Sequence, residues 1–354
     1  MAGMVIISPE LSGGVGDYTR RLLENLPQIP ELRVIVPKIG NRPATFLDQY
    51  PIEEIDSSAR SLRERLPTHA GTVMLQYSPY GFDWLGYPRW LINGLLQWKR
   101  QSHGSLVIMF HEIWTFWPIW NKNRVLQYLH RRDLGRLLQL ADFVFTSTAS
   151  QAEHLSALGP SCPIKILPVG SNIRRFQPMD EERENGFAIL FGLQSSRIRA
   201  LRKMEPELKS LSAVGRLRKI VTVGSGGSRK GDEEELALLL KLELADGFEQ
   251  RGPLPEERIS DLLSSVEFGI AEQNELSITK SGTFMAYAAH GLNILSCHAD
   301  RSKSAPISLM TSAEELKGLT PMELQRRGEK LREWQERTSA WPLIAREMAQ
   351  ALGV

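Results

Sequence analysis

The sequence predicts an α/β protein built from two doubly wound parallel-sheet domains in series. Three observations predict it. Short apolar runs alternate with longer amphipathic stretches, as crossovers between parallel strands require. The alternation breaks once, at the polar, proline-bearing run "NIRRFQPMDEERENG" (172–186), and then restarts. The length, 354 residues, is too great for one ordinary core and suits two.

In the first half, "MVIIS", "LRVIVP", "GTVMLQY", "SLVIMFHE", "ADFVFTS" and "PIKILPVG" read as strands. Their Val, Ile and Phe content fits a sheet covered on both faces. Between them "DYTRRLLENL", "YPRWLINGLLQWKRQ" and "VLQYLHRRDLGRLLQL" carry apolar residues at helical spacing. After the break come the strands "FAILFG", "KIVTVGSG", "GFEQRG", "EFGIAEQ" and "LNILS", with helices such as "PEERISDLLSSV" and an Ala-rich run between them. The tail from 313 to 354 reads as helices only.

Hydrophobic residues at 42% and charged residues at 24% are ordinary for a globular chain. A net charge of +2 argues against a general nucleic-acid binder, which needs a strong basic excess. Cys162 and Cys297 offer neither a disulfide framework nor a zinc cluster, so a reducing, cytoplasmic setting is expected. No apolar run approaches the roughly 20 residues of a spanning helix, and "MVIIS" reads as a strand rather than a leader. Attachment to a membrane face is the most that the sequence allows. No group of acids and histidines has ligand spacing, so no metal site is expected.

Four stretches carry chemistry. In "SPELSGGVGDYTRRLL", Gly13, Gly14 and Gly16 stand between a strand and a helix, where backbone amides can meet a ligand or simply form a tight turn. In "MFHEIWTFWPIW", His111 and Glu112 end a strand, the side on which open α/β sheets bind ligands. Trp114, Phe116, Trp117 and Trp120 follow as core or as an acceptor platform, with the cations of "HRRDLGR" nearby. "KIVTVGSGGSRKGDEEE" places Gly224, Ser225, Gly226 and Gly227 after a strand, but neither a dinucleotide fingerprint nor a P-loop is completed. In "KSGTFMAYAAHG", Lys280, Ser281, Gly282 and Thr283 open an Ala-rich helix. That start is either a capped core helix or a phosphate seat, since helix N-termini present unpaired N–H groups and partial positive charge.

In order and spacing, "GGVGDYTRRLLENL", the strand-end "HE", "ADFVFTSTASQAEHL", "ILPVGSNIRRFQP", "FAILFG", "IVTVGSG" and "FEQRGPLPEERISDLLSSVEFGIAE" resemble the retaining GT-B-fold glycosyltransferases. This is a large bacterial family using nucleotide sugars. The resemblance spans nearly the whole chain. It implies two Rossmann-like domains facing a cleft, with a C-terminal helix crossing back to the first. The expected boundaries are 1–175 plus 335–354 for the acceptor-side domain and 176–334 for the nucleotide-sugar domain. It also implies sugar transfer from a nucleotide-diphosphate sugar, UDP being the expected nucleotide, to a hydroxyl with retained anomeric configuration. The acceptor would be a saccharide, a lipid-linked compound or a small molecule, in glycan, polysaccharide or glycolipid synthesis. No separate cofactor and no nucleic acid are expected; the cations of "HRRDLGR" read as a solvated helix face first and as a peripheral membrane contact second.

Residue by residue, the resemblance makes His111, Arg197, Lys280 and Glu275 catalytic. Gly13, Gly14, Gly192, Gly224, Ser225, Leu254, Ser281, Gly282 and Thr283 become donor-binding, and Tyr18, Glu112 and Trp114 acceptor-binding. The sequence also departs from the family. Two glutamates eight positions apart normally frame the diphosphate loop, and here those slots hold Ile278 and Ala286. Leu193 stands where the family has an arginine after the glycine of "FAILFG"; the cations on offer are Arg197, Arg199, Arg202 and Lys203. Two rival readings follow. One is a GT-B protein that binds or scaffolds without transferring. The other is a nicotinamide-dependent oxidoreductase using "VGSGG", with Glu249 as its ribose acid.

Overall fold

The computed structural model describes residues 3–9, 13–38, 50–68, 70–114, 124–176 and 183–354. The chain divides into two compact units, one of residues 1–169 and 341–354 and the other of residues 170–340.

In the first unit, strands β1 (Met4–Ile7), β2 (Leu32–Pro37), β3 (Ile52–Ile55), β4 (Thr72–Tyr77), β5 (Ser105–Phe110), β6 (Phe143–Thr146) and β7 (Ile164–Ile166) form one parallel sheet. Its order is β3-β2-β1-β4-β5-β6-β7. The chain winds outward from β1 in one direction, then returns and winds the other way from β4. Helices α1 (Gly13–Asn25), α2 (Ala59–Arg65), α3 (Pro79–Phe82), α4 (Arg89–Gln101), α5 (Arg124–Leu138) and α6 (Ala149–Ser156) complete the unit's N-terminal segment. The central strands are buried almost completely, and Val5, Ile7, Val73, Leu75, Leu106 and Ile108 share a core with Leu91, Leu95 and Leu134 of the helices. β3 and α2 were not foreseen. "IEEI" carries two glutamates at a sheet edge and shows no apolar run.

The second unit holds β8 (Glu184–Phe191), α7 (Gln194–Ala213), β9 (Lys219–Val223), α8 (Arg229–Leu240), β10 (Phe248–Gln250), α9 (Glu256–Ser265), β11 (Val266–Ile270), α10 (Gly282–Ala289), β12 (Asn293–Leu295), α11 (Ala313–Gly318) and α12 (Pro321–Ser339). Its five strands are parallel in the order β10-β9-β8-β11-β12. The winding direction reverses between β8 and β11. β8 begins at Glu184, so the last residues of the polar run 172–186 are strand rather than linker.

The last helix, α13 (Trp341–Leu352), belongs to the first unit. Ile344, Ala345, Met348, Ala349 and Leu352 are buried along one stripe, as its amphipathic pattern dictates. Trp341 meets the Tyr18 ring of α1 edge-on at 5.1 Å, and Lys165 pairs with Glu347. Among the described residues no helix is long and apolar enough to cross a membrane.

Candidate functional site

In doubly wound sheets, ligands bind beyond the strands' carboxyl ends where the winding direction reverses. In the second unit this point lies between β8 and β11, and α10 starts there. Tyr287 of α10 accepts from Phe191 N at 2.8 Å and donates to Ile189 O at 3.3 Å, clamping the helix to the end of β8. Gly192 follows, with φ 126°, and a Cβ there would meet Thr283 Oγ1 at 3.2 Å. The end of β8 and the start of α10 are therefore in contact.

Ser281 is the N-cap of α10, its hydroxyl accepting from Phe284 N at 3.1 Å. Phe284 through Ala288 are buried, as a core helix requires. The capped-helix reading is thus correct for Ser281. It leaves the amides of Gly282 and Thr283, which by position have no partner within the helix. Lys280 closes the short 3₁₀ turn Ile278–Lys280 just before the cap and is partly exposed. Glu275 lies farther back in the same loop, exposed and 3.3 Å from Lys303 Nζ. The slots of the family's glutamates hold Ile278 at 1% and Ala286 at 0% exposure, interior positions that would not accept a carboxylate without desolvating it.

Arg197 lies in the same region but is committed elsewhere. Its guanidinium makes a two-pronged pair with Glu235 at 2.7 and 2.9 Å, and both side chains are buried. It also donates to Gly192 O at 2.6 Å and to Ser225 O at 3.4 Å. These bonds brace the two glycine turns that end β8 and β9. Gly224 has φ 131°, and a Cβ on it would fall 2.1 Å from Gly192 O, so only glycine fits. Arg199 instead pairs with Glu272 at 2.6 Å and Lys203 with His298, so neither cation stands idle.

A pocket of about 400 Å³ opens beside these turns, lined by Leu193, Gln194, Ser225, Gly226, Gly227 and Lys230 among others. That volume suits a small molecule. The two amides leading into α8 are taken: Gln194 Oε1 accepts from Gly227 N at 2.8 Å and Ser228 N at 3.1 Å. Ser228 caps α8 through Gly231 N. Glu249, the ribose acid of the oxidoreductase reading, is held by Lys219 and Arg251. Leu254 is half-buried between β10 and α9.

In the first unit, His111 directly follows β5. Its Nε2 is 2.7 Å from Gln76 Oε1, its N–H donates to Tyr77 O at 2.9 Å, and its carbonyl accepts from Gln151 Nε2 at 3.0 Å. With Nε2–H donated to Gln76, Nδ1 carries the lone pair. Desolvation pushes the His111 pKa down to about 3, so the ring is uncharged at neutral pH. Tyr18 packs edge-on against it at 4.7 Å; its buried hydroxyl has no hydrogen-bond partner among the described residues, and burial raises its pKa. Gly13, with φ 78°, and Gly14 open α1, the helix that carries Tyr18. Glu112 is exposed. Trp114 is a core residue with the Arg131 guanidinium 5.1 Å above its ring, and is not an open platform. Phe116, Trp117 and Trp120 lie outside the described residues.

Sequence reasoning missed Gln76, Gln151, Gln194, Glu235 and Tyr287. Each has a partner more than 30 residues away, which no local spacing reveals. Among the described residues no group of three or more His, Cys, Asp or Glu could hold a metal ion.

No family model matches the sequence, and no curated protein matches it. Solved structures do. The HepE protein of Anabaena, solved with UDP and glucose, superposes with a TM-score of 0.67 at 10% identity over 100% of both chains. Sucrose-phosphate synthase of Thermosynechococcus elongatus gives 0.65 at 13% identity, covering 99% of this chain and 98% of that one. The fold is GT-B. A glycosyltransferase of Rickettsia africae gives 0.66 at 13% identity over 99% and 97%. The GT-B likeness is thus full-length in each case, while the identities are too low to carry more than the fold.

Proposed function

We propose that this GT-B protein is a glycosyltransferase that moves a sugar from a nucleotide-diphosphate sugar to an acceptor hydroxyl with retention of configuration. The observation that carries the reading is the start of α10: a cation, a capped serine and two amides at the switch point of the second unit. Structural neighbours with UDP, or with UDP and glucose, support the choice of donor class.

In this reading Lys280 and the amides of Gly282 and Thr283 take the charge that builds on the leaving diphosphate. Arg197 positions the turn at Gly192, Ser225 borders the donor pocket, and Gly224 lets the turn after β9 approach Gly192. His111, neutral and held by Gln76, offers a hydrogen bond rather than a charge. No protein nucleophile, metal ion or separate cofactor takes part. The acceptor is a saccharide, a lipid-linked compound or a small molecule.

The test is a thermal-shift screen of nucleoside diphosphates and nucleotide sugars, followed by product analysis of the anomeric configuration. A ligand at 100 times its Kd stabilises by about 2.7 kcal/mol. Binding without transfer or hydrolysis of any nucleotide sugar would favour a scaffolding protein; an inverted product would refute retention.

A further inference from the structure

One face of the first unit combines exposed aromatic side chains with arginines. Tyr80 on α3 is 51% exposed, and after the helix Trp84 is 82% exposed with Leu85 exposed beside it. The loop is nevertheless well fixed. Asp83 Oδ1 accepts from Leu85 N at 2.9 Å and from Tyr87 N at 3.3 Å. The Tyr80 ring covers Gly86, where an added Cβ would come within 2.8 Å of it. Tyr87 Oη then donates to Asp133 Oδ2 at 2.5 Å, tying the loop to α5. On α5, Val125 and Tyr128 are exposed at 64% and 69%. Arg124, Arg131, Arg132 and Arg136 are exposed at three- and four-residue steps from Tyr128, so they share its side of the helix. Asp133 also accepts from Arg132 Nε at 3.0 Å, so the loop and the arginine face of α5 meet at one ion-paired contact.

We propose that this face docks on an anionic lipid surface, with Trp84 and Tyr128 entering the headgroup region and the arginines meeting lipid phosphates. Five arginines (89, 124, 131, 132 and 136) face two aspartates, Asp83 and Asp133, and Asp133 is buried under its own ion pairs. Trp and Tyr are the residues that partition to the membrane interface, and a basic, amphipathic helix face is the matching electrostatic half. A protein partner fits less well. The centres of protein interfaces are depleted of charge, whereas arginines here alternate with the apolar residues at each turn of α5. The inference does not depend on sugar transfer.

The experiment is flotation of the full chain with vesicles of phosphatidylcholine alone and of an equimolar mixture with phosphatidylglycerol. The protein floats with the mixed vesicles only, and high salt releases it, because exposed charges are screened. Arg124→Gln weakens partition about fivefold. Trp84→Ser weakens it at least about tenfold and abolishes the blue shift of tryptophan emission seen on binding. Thermal melts of both variants match the parent; should Trp84→Ser unfold, Tyr128→Ser carries the same expectation. Flotation with neither vesicle, equal flotation with both, or undiminished binding by Trp84→Ser would overturn the inference. Self-association lost in Trp84→Ser, without vesicle binding, would assign the face to a second copy instead.

Discussion

Helices α8 and α10 both start in the second unit, each behind a serine N-cap with glycine in the first turn or just before it. At α8 the amides of Gly227 and Ser228 are filled by the side-chain oxygen of Gln194, a residue more than 30 positions earlier. At α10 the matching amides of Lys280 and Ser281 are filled locally, by the backbone carbonyls of Ser277 and Ile278, and the Ser281 hydroxyl takes the amide of Phe284. The two neighbouring cations differ in burial. Arg197 is buried on Glu235 and supports the fold, while Lys280 is partly exposed at the helix start. A helix N-terminus is an anion site only if the protein has not already supplied the acceptor.

Arg197 offers the sharpest way to break this comparison. Arg197→Met strands the buried Glu235 carboxylate and lowers stability by about 3 kcal/mol, while Arg197→Met with Glu235→Leu recovers most of it. Denaturant unfolding measures both. If the single variant instead folds normally and loses diphosphate affinity, Arg197 is a ligand and the contrast with Lys280 fails.

Next in size, Lys280→Ala weakens nucleoside diphosphate binding by about 2 kcal/mol, roughly thirtyfold, with little change in nucleoside binding or in the melt. Titration calorimetry reads the difference, and equal affinities in variant and parent would leave α10 merely capped. His111→Ala lowers transfer much more than it lowers diphosphate affinity; parallel losses would make His111 structural.

Acid tests the buried histidines. Desolvation holds His130 and His290 down to about 4, alongside His111 at about 3. The unfolded chain, with histidine near 6.5, binds more protons between these values. Stability is therefore retained above about pH 6.5 and falls as the pH drops toward 4, by on the order of 1 kcal/mol per pH unit for each buried ring. Melts across this range that stay flat would mean the rings are charged in the fold.

A smaller effect sharpens the α8 half. Gln194→Ala costs about 1 kcal/mol but uncovers two amides, so inorganic phosphate then stabilises the variant and not the parent. The smallest expected effect is none: chelation by EDTA leaves transfer unchanged, and a loss restored by a divalent cation would reject the proposed metal-free reaction.

The sequence by itself determined the parallel sheets, the break near residue 172, and the placing of His111 at a strand end and of "KSGT" at a helix start, because apolar periodicity and glycine or hydroxyl punctuation are local signals. The return of the last helix to the first unit was expected from the resemblance, and the stripe in "WPLIAREMAQAL" is the face it buries. Tertiary structure decided which charges and amides remain available. Arg197 looked in sequence like a loop cation and proved to be half of a buried pair with Glu235; Trp114, open between core and platform, proved to be core. Gln194 and Gln76, silent in the sequence, fix the start of α8 and the orientation of His111. A charge or donor is spent by whatever the fold brings within about 3 Å of it, and residues more than 30 positions apart leave no periodic trace of that meeting.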